Sequence, residues 1–151
     1  MEEISTGITQ VVSFRLGEEE FGVHIAQVQE IIRLQAVTAL PRVPHYIEGV
    51  INLRGKIVPV LDLRKKFSME EGHRTKEGRI IVATLEGETI GFVVDAASDV
   101  LRINMDAIEA PPPILQSVGG DYIEGVVNIE DRLLLILNLP KVLNRDEARK
   151  N

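Results

Sequence analysis

The chain repeats itself, and that repetition limits its fold more than any other feature. Tyr46-Ile47-Glu48-Gly49-Val50 recurs as Tyr122-Ile123-Glu124-Gly125-Val126. At the same spacing Asn52, Leu61, Leu63 and Lys65 recur as Asn128, Leu137, Leu139 and Lys141. Nine of the 22 positions from Tyr46 to Phe67 are identical to their counterparts, which marks a duplication. A weaker match lies upstream, where "VSFRLGEEEFGV" (12–23) aligns with "VATLEGETIGF" (82–92) if the turns differ by one residue. Both stretches have two apolar arms joined by Gly and Glu, the pattern of a β-hairpin. The offset grows around "APPPILQSVGG" (110–120), whose prolines and glycines mark a loop.

The chain therefore divides into related halves, 8–68 and 79–143, joined by a charged connector (68–79) and followed by a short polar helix or tail, 144–151. Each half ends in a hairpin with a nearly continuous apolar arm, 56–63 or 132–139, suited to a strand buried on both faces or in a small closed barrel. A half of about 65 residues leaves too much apolar surface wet to stand alone, so the halves are expected to share a core. Aromatic residues are only 4% of the chain, so Val, Ile and Leu must build most of that core. Between the first half's hairpins, Ile25, Val28, Ile31 and Ile32 fall at helical spacing and predict a short amphipathic helix. Pro41 and Pro44 then favour extended backbone.

Residue types exclude several chemistries. There is no cysteine, hence no disulfide, thiolate catalysis or Cys-ligated metal. A net charge of −6 argues against nucleic acid as the main partner. The longest apolar runs are strand-sized, so none can cross a bilayer as a helix, and the acidic start "MEEISTG" does not resemble an export signal. His24, His45 and His73 have no ligand spacing, phosphate-loop and nucleophile-elbow motifs are absent, and no cofactor is expected. Asp95 and Asp99 could face one another on a helix, and with Glu30 they are the only acid–base candidates for a small enzyme.

Positions that both halves keep are explained first by the fold. Gly49 and Gly125 are expected to permit a backbone conformation or a close approach, and Asn52 and Asn128 to fix a hairpin. Positions that differ are better functional candidates. The tip Arg54-Gly55-Lys56 becomes Glu130-Asp131-Arg132 in the second half. Pro59 replaces the equivalent of Leu135 and predicts an edge or a bulge, because proline cannot donate to a sheet ladder.

In sequence order, "FRLGEEEFGVHIAQVQEII", "YIEGVINLRGKIVPVLDLRKKF", "GFVVDAASDVL" and "YIEGVVNIEDRLLLIL" resemble the CheW family of bacterial chemotaxis coupling proteins over about residues 8–145. The resemblance implies a mainly β fold of two pseudo-repeated, intertwined five-stranded SH3-like β-barrels sharing a core, with short helices. It implies a non-catalytic cytoplasmic adaptor that joins chemoreceptor tips to the regulatory domain of the histidine kinase CheA in arrays at the membrane. By position it implies a receptor-facing group of Val28, Glu30, Ile31, Gly49, Arg54, Val94 and Val100. Val43 and Pro44 are implied to lie near a kinase contact. A small enzyme working in the groove between the barrels is the alternative reading.

Overall fold

The computed structural model describes residues 7–69, 75–113 and 122–143. Ten strands dominate it. In the first half they are β1 (Ile8–Leu16), β2 (Glu19–His24), β3 (Val28–Arg33), β4 (Ile47–Leu53) and β5 (Lys56–Asp62), followed by the short helix α1 (Leu63–Lys66). The second half repeats the order with β6 (Arg79–Leu85), β7 (Glu88–Val94), β8 (Ala96–Asn104), β9 (Ile123–Ile129), β10 (Arg132–Leu137) and α2 (Leu139–Val142). Both helices start on an equivalent cap, where Asp62 accepts from the Lys65 N–H and Asn138 from the Lys141 N–H. The tail 144–151, most of the loop 110–120 and the centre of the connector lie outside the described residues.

The strands form two five-stranded sheets, ordered β8-β1-β2-β10-β9 and β3-β6-β7-β5-β4. Each sheet therefore takes its first hairpin from one half and its other three strands from the other half. Parallel pairs, β2 with β10 and β7 with β5, make the joins. The halves are intertwined, and neither can complete a sheet without the other.

Between the sheets lies a common core. Phe14, Leu16, Phe21 and Val23 meet Leu61, Ile81, Phe92 and Val94, with Leu137, Leu139 and Val142 from the second half. Rings of Phe14 and Phe21 stack with centroids 5.7 Å apart, and Phe92 tilts against Phe14 at 5.9 Å. Burying side chains of this size stabilises by about 1.5–3 kcal/mol each. Each sheet also packs a smaller cluster of its own, around Val58, Val60 and Ile80 or around Val11, Leu134 and Ile136.

Several expectations need correction. The segment from Ile25 is not an amphipathic helix: a single 3-10 turn (Ile25–Gln27) leads directly into edge strand β3. Likewise 95–101 is not helical, because β8 begins at Ala96. Pro59 does not mark an edge, since β5 has neighbours on both sides. Its missing N–H is tolerated because the parallel pairing with β7 begins one residue later, at Val60. The upstream hairpins also have equal turns: Leu16 pairs with Glu19 and Leu85 with Glu88, so a constant offset of 69 relates them.

Candidate functional site

The site is built where the two edges of the second sheet approach each other. Beyond β3 the chain turns back, and Thr38 exchanges both backbone hydrogen bonds with Val50 of β4 at 2.9 Å. Gly49 makes this approach possible. Its φ is +148°, and a Cβ there would lie 2.1 Å from the Thr38 carbonyl oxygen. Glu109 and Val126 repeat the bridge in the other sheet, where a Cβ on Gly125 would lie 2.4 Å from Ile108 Cγ2. The shared glycines thus serve the closures of the two sheets.

At the end of the same hairpin, Arg54 and Gly55 both have positive φ, 53° and 86°, the requirement of a tight two-residue turn matched to strand twist. The Asn52 side chain fixes this turn by accepting from the Gly55 N–H at 2.8 Å. The turn projects Arg54 across to β3, where its guanidinium donates to the Glu30 carboxylate. Gln29 donates to the same carboxylate at 3.1 Å and accepts from the Thr84 hydroxyl at 3.0 Å. The Arg54 hydrogen bond first, then that of Gln29, hold Glu30 below the usual carboxylate range. Glu30 in turn raises Arg54.

The other sheet provides an internal comparison. Ile31 stands opposite Ile81, and Val100 stands opposite Val12, the equivalent of Ile81 at the offset of 69. Val100 is therefore the counterpart of Ile31, and Asp99 of Glu30. Glu130 replaces Arg54, in a turn whose residues again have positive φ. Where one sheet holds an acid and a base, the other holds two acids.

The structure divides the sequence candidates by exposure. Arg54, Ile31 and Val100 are exposed, the last two at 40% and 48%. Val28 and Glu30 are half-buried, Val28 against the common core. Val94 is 1% exposed within that core, and Gly49 is buried beneath Thr38, so both support the surface from below. Val43 and Pro44 are half-buried in the loop before β4, where the Pro44 carbonyl accepts from the Ile47 N–H. Glu30, Ile31, Arg54 and Gly49 thus cluster at one sheet closure, while Val100 occupies the matching place on the other sheet. Sequence reasoning misses Ile57 and Leu133, which are 61% and 54% exposed just after the two tips. A signal for them exists: both halves keep an aliphatic residue at a position facing water.

The carboxylates of the enzyme alternative do not converge. Asp95 is held by Arg64 through two hydrogen bonds, at 3.1 and 2.6 Å, and by the Gly17 N–H at 2.6 Å. Burial alone would raise its pKa, but these partners bring it below the ordinary value. It is an ionised tie between α1 and the β1–β2 turn, while Asp99 is exposed and Glu30 is paired with Arg54. Among the described residues no three His, Asp or Glu side chains are placed to hold a metal ion.

Comparison with known proteins agrees with this architecture. The CheW-like domain family matches residues 10–147. Chemotaxis protein CheW of Bacillus subtilis (strain 168) is 37% identical, over 97% of this chain and 94% of its own length. Protein FrzA of Myxococcus xanthus is 32% identical over 90% and 86%. The crystal structure of the scaffolding protein TtCheW from Thermoanaerobacter tengcongensis matches with a TM-score of 0.84 at 36% identity, covering 90% of this chain and 92% of that one. With two interleaved five-stranded sheets and a family match along nearly its whole length, the chain belongs to the CheW-like family of chemotaxis scaffold proteins.

Proposed function

We propose that this protein is a non-catalytic cytoplasmic adaptor, coupling the tips of chemoreceptors to the regulatory domain of the histidine kinase CheA. The observation that carries this reading is the asymmetric pair Glu30–Arg54 beside exposed Ile31, on a sheet closure whose counterpart is uniformly acidic. A helical receptor tip would meet the apolar edge residues Ile31 and Val100, with Arg54 and Glu30 setting its register. Val28, Val94 and Gly49 would keep that surface in shape. The kinase domain would contact the loop of Val43 and Pro44 at the end of a sheet, so that receptor movement reaches the kinase through a rigid body. Each contact is expected to be on the order of micromolar, with assembly into arrays at the membrane supplying avidity.

The test is co-sedimentation with receptor-containing membranes, together with pull-down by the kinase regulatory domain, for wild type and Arg54→Glu. Wild type should bind both partners, and the variant should lose receptor binding while keeping its circular dichroism spectrum. A folded variant that binds both partners as well as wild type does would remove Arg54 from the mechanism.

A further inference from the structure

Gln29 touches the Glu30–Arg54 pair without belonging to it, and its place on β3 is unusual. Between Val28 and Glu30 the strand advances two residues while β6 advances one, from Ala83 to Val82, so Gln29 is the extra residue of a β-bulge. A bulge breaks the strict alternation of side chains along a strand and re-aims them, often beside a functional site. Here the Gln29 amide meets the side chain of its own neighbour, donating to Glu30 Oε2 at 3.1 Å. The other end of the amide is braced from β6, because the Thr84 hydroxyl donates to Gln29 Oε1 at 3.0 Å. Arg54 Nη2 donates to the same carboxylate oxygen, Oε2. Glu30 Oε1 accepts from no described residue. The sister sheet separates the bulge from the glutamine. There β8 covers three residues, Ala97 to Val100, where β1 covers two, Val12 to Phe14, so the bulge is kept. At the offset of 69 Ser98 takes the place of Gln29, beside Asp99 for Glu30 and with Glu130 at the tip for Arg54. The fold places a bulge in both sheets, and a long amide fills it only where the closure holds an arginine.

We propose that Gln29 is a positioning residue for the receptor-binding closure. Braced by Thr84, it holds one carboxylate oxygen of Glu30 on Arg54 and leaves the second oxygen and the remaining guanidinium N–H groups for polar groups of the receptor tip. This role rests on the assignment of the closure to the receptor. Arg54 and Glu30 are long side chains, and holding them in one geometry before the partner arrives removes an ordering cost from binding. Gln29 and Thr84 are both exposed, so their hydrogen bond to each other adds little to folding and its effect falls on the shape of the site.

The experiment compares wild type, Gln29→Met, Thr84→Val, their double variant and Arg54→Glu. Each is followed by urea unfolding, by co-sedimentation with receptor-containing membranes and by a carbon-13 pH titration of the Glu30 carboxyl. Gln29→Met should unfold with wild type and bind receptor about three- to tenfold more weakly. Its Glu30 carboxyl should titrate at higher pH than in wild type, since the Arg54 hydrogen bond then holds the charged form without that of Gln29. A merely structural role would not move that titration. Thr84→Val should act in the same direction but less, and should add nothing in the double variant, because the hydroxyl reaches Glu30 only through Gln29. The proposal is overturned if Gln29→Met binds like wild type while Arg54→Glu does not, a result that leaves the receptor assignment standing. It is equally overturned if the Glu30 titration is unchanged in Gln29→Met, or if Thr84→Val weakens binding further on top of Gln29→Met. If Arg54→Glu also binds like wild type, the receptor assignment itself fails and the role of Gln29 falls with it.

Discussion

Glu30 and Arg54 lie at opposite ends of one sheet's strand order, yet their side chains form an ion pair. The pair closes the sheet edge next to the Thr38–Val50 bridge, and it has no equivalent in the sister sheet, where Asp99 and Glu130 take the same places. The sister closure forms its backbone bridge with two acids at these places, so a base is not a general requirement of such a closure.

Arg54→Glu should therefore leave thermal unfolding close to wild type, since exposed ion pairs contribute little to stability. Receptor-tip binding should fall by about tenfold or more, as expected for an arginine at a binding hot spot. The charge-swapped double variant, Glu30→Arg with Arg54→Glu, separates two roles. If the partner reads the guanidinium directly, the swap stays defective in co-sedimentation. If the pair only shapes the closure, the swap restores binding and direct contact by Arg54 is ruled out.

The repeat makes the hairpins, their turns and the paired glycines legible in the sequence. Duplication points to a close approach at Gly49 and Gly125, and each lies beneath the segment that bridges to its strand. Strand exchange is not readable from the repeat itself. Two copies of one unit offer the same partners to a hairpin whether it pairs with its own half or the other, so only the family resemblance supplies intertwining. The helix expected at 25–32 fails for a different reason. On β3 the half-buried side chains are Val28, Glu30 and Ile32, while Gln29, Ile31 and Arg33 point to solvent. With a glutamate half-buried and an isoleucine exposed, polar–apolar alternation is broken, and a register shift between Val28 and Glu30 disturbs it further. The strand is unreadable at the place where the site departs from ordinary patterning.

The two glycines should not be equally costly to replace. At Gly49 an added Cβ meets the backbone of Thr38, which is fixed by two hydrogen bonds, and its φ is unfavourable to any side chain. Gly49→Ala should destabilise by about 3 kcal/mol. At Gly125 the obstacle is the Ile108 γ2 methyl, a side-chain atom on a stiff branched carbon, and no left-handed φ adds to it, so Gly125→Ala should cost about 2 kcal/mol. Urea unfolding of both variants checks the order, and equal or reversed costs contradict it.

Core and surface valines should also separate. Val94→Ala removes packing from the common core and should cost about 2 kcal/mol in urea unfolding. Ile31→Ala and Val100→Ala, on exposed faces of β3 and β8, should change stability by no more than about 0.5 kcal/mol. Their effect should instead appear in receptor-tip affinity. A large stability loss at Val100 with normal binding would place that side chain in packing and not in contact.

Asp95 gives the acid response a specific sign. Its burial would raise the carboxyl pKa, but the Arg64 hydrogen bonds and the Gly17 N–H outweigh burial and hold it below its ordinary value of 3.8. A group whose pKa is lowered by folding contributes stability above its unfolded pKa and loses that contribution as pH falls through the folded value. Wild type should accordingly lose melting temperature between about pH 5 and pH 2 more steeply than Asp95→Asn, which cannot carry the charge. At neutral pH the variant is the less stable of the two, because Arg64 has lost its charged acceptor, and the two curves converge as the pH falls. Arg64→Met should reproduce the shallower acid limb, since it removes the group chiefly responsible for the lowered pKa. Parallel curves for all three proteins would show that the tie between α1 and the β1–β2 turn does not depend on the ionised form of Asp95.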